Sequence, residues 1–253
     1  MFSKAIVRQP APTMADGITT AFLGVPDYEK AMRQHQAYVE ALKTCGLDVT
    51  VLEAKSDFPD SVFIEDVALL TPVCAILARP GADSRKGEVE FVSGSIKSFY
   101  DTVDEIIAPG SVEAGDIMMV GSHFYIGLSD RTNVDGANQL IEILNRHGMT
   151  GSTVEMDEFL HLKTGLSYLE NNNLLISGEF VNRQEFSSFN KIVIDEDEGY
   201  AANSVWINGN VLIPAGHPQT TGKIKAAGYN TIELEMSEFQ KLDGGLSCLS
   251  LRF

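Results

Sequence analysis

Asp243-Gly244-Gly245-Leu246-Ser247-Cys248-Leu249-Ser250-Leu251-Arg252-Phe253 ends the chain. Alternating apolar and small residues after two glycines predict a final strand, with Cys248 at its mouth. The glycine pair lets main chain come close to a ligand, because no Cβ intrudes. Such a strand has no following partner, but Ala5-Ile6-Val7-Arg8 near the other end is strand-like and could pair with it. That pairing would close a ring by joining the two ends of the chain. Taken alone, a single cysteine is more often a small packed thiol than a nucleophile, so its reading depends on the segments it would meet.

Two other segments share its grammar. Ser111-Val112-Glu113-Ala114-Gly115-Asp116 runs into Ile117-Met118-Met119-Val120, and His161-Leu162-Lys163-Thr164-Gly165 runs into Leu166-Ser167-Tyr168-Leu169. Each puts a titratable side chain just before a glycine that opens a strand. Hairpin-like units recur at 62–79, 117–127, 166–177 and 204–214, the last around Asn208-Gly209, a strong tight-turn signal. Single strands are expected at 47–52, 103–107, 153–156, 191–194 and 230–234. A helical stripe from Asp27 to Cys45 stops at Gly46, a second runs from Val134 to Leu144, and a third from Gln219 to Ala227. The repeat therefore reads strand, strand, helix, strand at spacings of about 40 to 50 residues. The fold class expected is α/β: a five-bladed propeller of ββαβ repeats with pseudo-five-fold symmetry, closed by its terminal strands. Residues near 65, 115, 165, 203 and 247 then meet on one axis, which brings Glu113, His161 and Cys248 together. No linker or composition break divides residues 1–253, so a single catalytic domain is expected.

The chain has 253 residues, 44% apolar and 21% charged, with a formal net charge of −16. That charge argues against binding nucleic acid or an anionic membrane surface, both of which need clustered Lys and Arg, and it suits a cationic ligand. Three cysteines without paired spacing give neither a disulfide framework nor a zinc motif. No apolar stretch reaches the roughly 18 residues of a membrane span, and Met1-Phe2-Ser3-Lys4-Ala5 lacks the apolar core of a signal peptide. A cytoplasmic enzyme or binding protein is the expectation.

Six stretches, in order along the whole chain, carry a resemblance. They are Phe58-Pro59-Asp60-Ser61-Val62-Phe63-Ile64-Glu65-Asp66, Arg79-Pro80-Gly81-Ala82-Asp83-Ser84-Arg85, Glu113-Ala114-Gly115-Asp116, Arg131-Thr132-Asn133, His161-Leu162-Lys163-Thr164-Gly165 and Gly244-Gly245-Leu246-Ser247-Cys248. As a set they resemble the dimethylarginine dimethylaminohydrolases, guanidino-group modifying enzymes with the pentein fold. Arginine deiminases and amidinotransferases of that superfamily are generally longer, and many carry an aspartate where this chain has Lys163. That departure favours the dimethylaminohydrolase branch.

The resemblance implies hydrolysis of Nω-methylated arginines to citrulline and an amine, without metal or organic cofactor. Attack on a resonance-stabilised guanidinium carbon calls for a sulfur nucleophile. The family pattern assigns Cys248 to it through a covalent thiouronium, His161 to proton transfer and Glu113 to orienting His161. It implies Glu65 and Asp66 as partners of the guanidinium, Asp60 of the α-ammonium, Arg85 and Arg131 of the carboxylate, and main-chain groups at Ile18 and Leu242. Segment 16–19 would act as a lid. The remaining histidines, His35, His123, His147 and His217, read as ordinary hydrogen-bonded residues. A thiolate and an imidazole in one site would also attract zinc, a liability more than a built site. Related arginine deiminase or citrullinase chemistry, and a non-catalytic pentein that only binds its ligand, stay open, as does homodimer formation.

Overall fold

The computed structural model describes residues 1–253. Five three-stranded sheets stand around a common axis as a five-bladed α/β propeller, each with an antiparallel pair followed by a parallel third strand. Blade two is Ala68–Leu70, Ala75–Leu77 and Val103–Glu105; blade three is Ile117–Val120, His123–Leu128 and Thr150–Glu155. Blade four is Leu166–Tyr168, Asn173–Ile176 and Asn190–Val193; blade five is Val205–Ile207, Asn210–Pro214 and Asn230–Leu234.

Blade one closes the ring from both ends of the chain. Leu251–Arg252 pairs antiparallel with Lys4–Arg8, Ala5 facing Arg252 and Ile6 facing Leu251, and Lys4–Arg8 pairs in parallel with Asp48–Leu52. The amides of Ser3 and Lys4 both donate to the Phe253 carbonyl at 2.8 Å. Closing the ring in this way leaves no blade unpartnered, the usual solution for sheets that would otherwise present free edges.

Local sequence dictates the connections. Asp27 caps helix Tyr28–Thr44 by accepting the Lys30 amide at 2.7 Å, and Gly46, at φ +90°, ends it in a conformation that L side chains rarely adopt. Asn208 and Gly209 take φ of +50° and +91°, as a two-residue hairpin turn of type I′ requires. Helices Val134–Arg146 and Pro218–Ala226 serve blades three and five. Helix Glu90–Lys97 of blade two was not anticipated, since its apolar spacing is short and broken by Gly94. Blade four departs from the expected ββαβ pattern: 3₁₀ turns Gly178–Asn182 and Gln184–Phe186 stand where a helix was expected. Their phenylalanines, Phe180 and Phe186, fill the space instead.

The cores lie between blades and under the helices. The largest joins helix Tyr28–Thr44 to blade five through Tyr38, Leu42, Val205, Ile207 and Leu212. A one-turn or longer helical segment precedes the first strand of every blade: Ile64–Val67, Ala114–Asp116, Leu162–Gly165, Glu196–Ala202 and Ser247–Leu249. Four of these turns contain, or directly follow, the residues singled out for chemistry.

Candidate active site

Cys248 sits inside the turn Ser247–Leu249, three residues before the closing strand, at the mouth where the sequence places it. The turn points the thiol inward toward its own glycine loop, and its sulfur accepts the Gly245 amide at 3.4 Å. Gly245 is required here because a Cβ would run into Asn203. Asn203 is a residue sequence reasoning missed. Its Oδ1 accepts the Ser247 amide at 2.8 Å, and its Nδ2 donates to the Lys163 carbonyl at 3.0 Å and to Ser247 Oγ at 3.1 Å. One amide thus ties the turn bearing Cys248 to the segment bearing His161.

His161 is the residue just before its own helical turn, and its Nε2 meets Glu113 Oε2 at 2.8 Å. Burial alone would push the imidazole down, but Asp66, Asp116 and Glu113 surround it with negative charge and raise it to about 9. Burial would lift Glu113, yet His161, Arg85 and Arg131 hold its carboxyl at about 2. The two therefore form an ion pair across neutral pH. Asp116 supports this geometry from below, accepting the Leu162 amide at 3.0 Å and Ser129 Oγ at 2.7 Å. Gly115 separates Asp66 from His161, and a Cβ there would stand 2.8 Å from Asp66 Oδ1 and from His161 Nδ1.

The Cys248 thiol lies at the other electrostatic extreme. Burial, reinforced by the carboxylates of Glu65 and Asp66, pushes it up to about 12. Without a bound cation the sulfur is a neutral thiol facing a protonated histidine.

Nine of the ten residues picked from sequence line one cavity: Cys248, His161, Glu113, Asp60, Asp66, Arg85, Arg131, Ile18 and Leu242. Glu65 is the exception. Its turn directs the side chain to the neighbouring axial cavity, where Oε1 accepts Lys163 Nζ at 2.6 Å and Arg252 Nη2 at 3.0 Å. Its buried Oε2 has no hydrogen-bond partner. The 3₁₀ turn Ile64–Val67 separates the two acids that the resemblance placed together on the guanidinium, so Glu65 acts on the cavity by its charge, which helps raise the Cys248 thiol.

Arg85, implied by the resemblance as a partner of the substrate carboxylate, is largely occupied by the protein itself. It is buried, and Nη1 reaches Asp66 Oδ2 at 2.6 Å, Nη2 reaches Glu88 Oε2 at 2.8 Å and the Phe63 carbonyl at 2.9 Å, and Nε reaches Glu88 Oε1 at 3.1 Å. Of the five guanidinium N–H groups, one on Nη1 is left without a partner, and Arg85 lines the cavity. Arg131 is freer: its side chain makes no hydrogen bond, and its nearest acid is Glu113 Oε1 at 3.7 Å. Asp60 accepts the Ile18 amide at 3.0 Å, and burial raises its carboxyl. The Leu242 amide is engaged by Phe239. Both amides are thus engaged, so neither is free to donate to a ligand in the cavity that Ile18 and Leu242 line. Segment 17–20 lies across the mouth, Thr19 Oγ1 donating to the Lys241 carbonyl and the Thr20 amide to Asp243.

Comparison with known proteins agrees with this layout. A family model described as N,N dimethylarginine dimethylhydrolase, eukaryotic, matches residues 27–198. The N(G),N(G)-dimethylarginine dimethylaminohydrolase of Pseudomonas aeruginosa is 56% identical over 254 residues, covering 100% of both chains. That of Streptomyces coelicolor is 31% identical over 98% of this chain and 96% of its own. Among solved structures, a cysteine-to-serine variant of the P. aeruginosa enzyme complexed with citrulline superposes with a TM-score of 0.99 at 56% identity, over 100% of both chains. The N-terminal domain of a cyanobacterial arginine dihydrolase has a TM-score of 0.89 at 22% identity over 98% of this chain and 97% of that one, a likeness of fold.

Proposed function

The chain belongs to the dimethylarginine dimethylaminohydrolase family, and on that premise we propose that residues 1–253 act as one catalytic unit hydrolysing Nω-methylated L-arginines to L-citrulline and dimethylamine or methylamine. The observation that carries the reading is the convergence in one cavity of the Cys248 thiol, the His161–Glu113 pair and the carboxylate of Asp66.

The substrate guanidinium enters beside Asp66, and its positive charge offsets the carboxylates that hold the thiol proton. Cys248 then loses that proton to solvent, and the sulfur attacks the guanidinium carbon. His161, protonated in the free enzyme, gives its proton to the departing amine as the C–N bond breaks. The product of this half-reaction is a thiouronium on Cys248. In the second half, now-neutral His161 takes a proton from water as its oxygen bonds to carbon. The C–S bond breaks, citrulline forms, one proton rests on His161 and the other returns to the sulfur. Glu113 keeps the imidazole aligned and charged. Asp60 takes the α-ammonium, and Arg131, with the remaining N–H of Arg85, takes the carboxylate.

Methylated substrate is favoured because the acceptors facing the guanidinium already carry donors. Asp66 Oδ1 accepts the Gly115 amide and Oδ2 accepts Arg85, and Glu113 Oε2 accepts His161. The extra N–H groups of arginine itself would be left poorly satisfied, at about 1 to 3 kcal/mol each. No helix is long and apolar enough to cross a membrane, and the three cysteines are free. Both facts support a cytoplasmic setting.

The test is citrulline release from asymmetric dimethylarginine, monomethylarginine, arginine and agmatine by wild-type protein beside Cys248→Ser. Turnover of the methylated substrates alone, lost in the variant, is expected. Turnover of arginine or agmatine would move the chain to deiminase chemistry, and silence on all four would leave a binding protein.

A further inference from the structure

Apart from this cavity, a second group of ligand-type side chains gathers on the flank where blades two and three meet. Cys74 ends the turn before strand Ala75–Leu77, Asp104 lies on strand Val103–Glu105, and His147 follows helix Val134–Arg146. The Cys74 sulfur, a carboxylate oxygen of Asp104 and a ring nitrogen of His147 all lie within 4.8 Å of one another. None of the three lines the Cys248 cavity.

We propose that Cys74, Asp104 and His147 form a binding site for a thiophilic divalent cation, zinc foremost, that ties blade two to blade three. Thiolate, imidazole and carboxylate together are a zinc donor set, and three protein ligands leave a fourth position to water. Thiolate and carboxylate neutralise the dication; on binding the thiol proton leaves to solvent, and His147 ligates through an unprotonated ring nitrogen, the proton it shares with Asp104 residing on the other nitrogen. Asp104 is already oriented for the task. Its Oδ1 accepts Arg146 Nη2 at 2.8 Å, which leaves Oδ2, the oxygen 2.7 Å from His147 Nε2, to turn to the metal. Cys74 is fully buried while the Asp104 and His147 side chains are 22% and 23% exposed, so an ion enters from their side and meets the thiol at the bottom. Zinc bonds of about 2.0 to 2.3 Å place tetrahedral ligand atoms roughly 3.5 Å apart. The group therefore adjusts by about an ångström, its wider spacings of up to 4.8 Å closing and the 2.7 Å contact between Asp104 Oδ2 and His147 Nε2 opening to admit the ion, within reach of side-chain rotation.

The experiment uses the full chain carrying Cys248→Ser, so that the active-site thiol cannot contribute. It is titrated with Co²⁺ and then with Zn²⁺. One equivalent of cobalt should bind with thiolate-to-cobalt charge-transfer absorption that zinc displaces, and zinc should raise Tm. Adding Cys74→Ser should abolish the absorption. Adding His147→Gln, a substitution at a part-exposed position, should weaken zinc by at least about tenfold and remove the rise in Tm. Absence of the absorption in the Cys248→Ser protein, or its persistence undiminished after His147→Gln, overturns the proposal even if Cys74→Ser fails to fold.

Discussion

Arg252 Nη1 lies 3.1 Å from the main-chain oxygen of Ser247, so the next-to-last side chain grips the turn that holds Cys248. The same nitrogen reaches the Ser250 carbonyl at 3.1 Å and its hydroxyl at 2.7 Å, while Nη2 reaches Glu65. Glu65 keeps Lys163 as a second cation, so losing Arg252 costs mainly its hydrogen bonds to the turn, about 1 to 3 kcal/mol. Arg252→Gln should therefore lower Tm and kcat together. Arg252→Lys restores charge for Glu65 but lacks the planar fork, so it should recover some stability and leave kcat low. Full recovery of kcat by lysine in citrulline assays would show that charge, not the grip on the turn, matters.

The His161–Glu113 pair sets the pH limits. In the proposed mechanism the raised imidazole gives its proton to the departing amine, so kcat/KM, which reports the free enzyme, should fall above pH about 9. Glu113→Gln removes a principal source of that elevation. The basic limb should move toward neutrality and kcat should fall by about a hundredfold or more. A pH–rate profile of the two proteins decides it, and an unmoved limb would assign the titration to another group.

Stability should follow the same pair. The His161 contribution is present in full below its ordinary 6.5 and is lost as pH rises through about 9. The Glu113 contribution is present in full above its ordinary 4.5 and is lost as pH falls through about 2. Denaturant titrations should show wild-type protein losing stability on both sides of that window, and Glu113→Gln losing less of it on each side.

A thiol held up to about 12 predicts slow alkylation in the free enzyme. The rate of Cys248 modification by iodoacetamide should keep climbing with pH and show no plateau below about pH 10. A plateau near pH 7 would mean the sulfur is ionised before substrate arrives.

Asn203 should behave as a positioning residue. Asn203→Ala removes three hydrogen bonds between the Cys248 turn and the His161 segment, so kcat should drop with KM little changed. Loss of Tm without that kcat effect would make it a purely structural link.

Gly115→Ala tests the spacing between Asp66 and His161. The added Cβ falls 2.8 Å from an atom of each, so one must move. Activity should be lost in a protein that still folds, as near-ultraviolet circular dichroism would show.

Much of this molecule is local. Apolar runs split by Asn-Gly and glycine turns specify the hairpins, Asp27 and Gly46 bound the first helix, and the repeat predicts the ring and its closure by Ala5–Arg8 with the tail. Glu113, His161 and Cys248 were legible because each sits near the same point of a repeat and the repeats share an axis, while Asp60, Glu65, Asp66, Arg85 and Arg131 were legible only through the six stretches that resemble the family. What could not be read depends on contacts between blades. The 3₁₀ turn at Ile64–Val67 sends Glu65 to Lys163 and Arg252, and Asp66 to Arg85 and Gly115. Asn203, just before blade five, gains its role only where blades four and one bring Lys163 and Ser247 to it. The direction of each titration was decided there too. Cys248 is driven up and His161 held up by how many carboxylates the fold buries beside them, and burial and proximity are properties of the packed ring that no single segment contains.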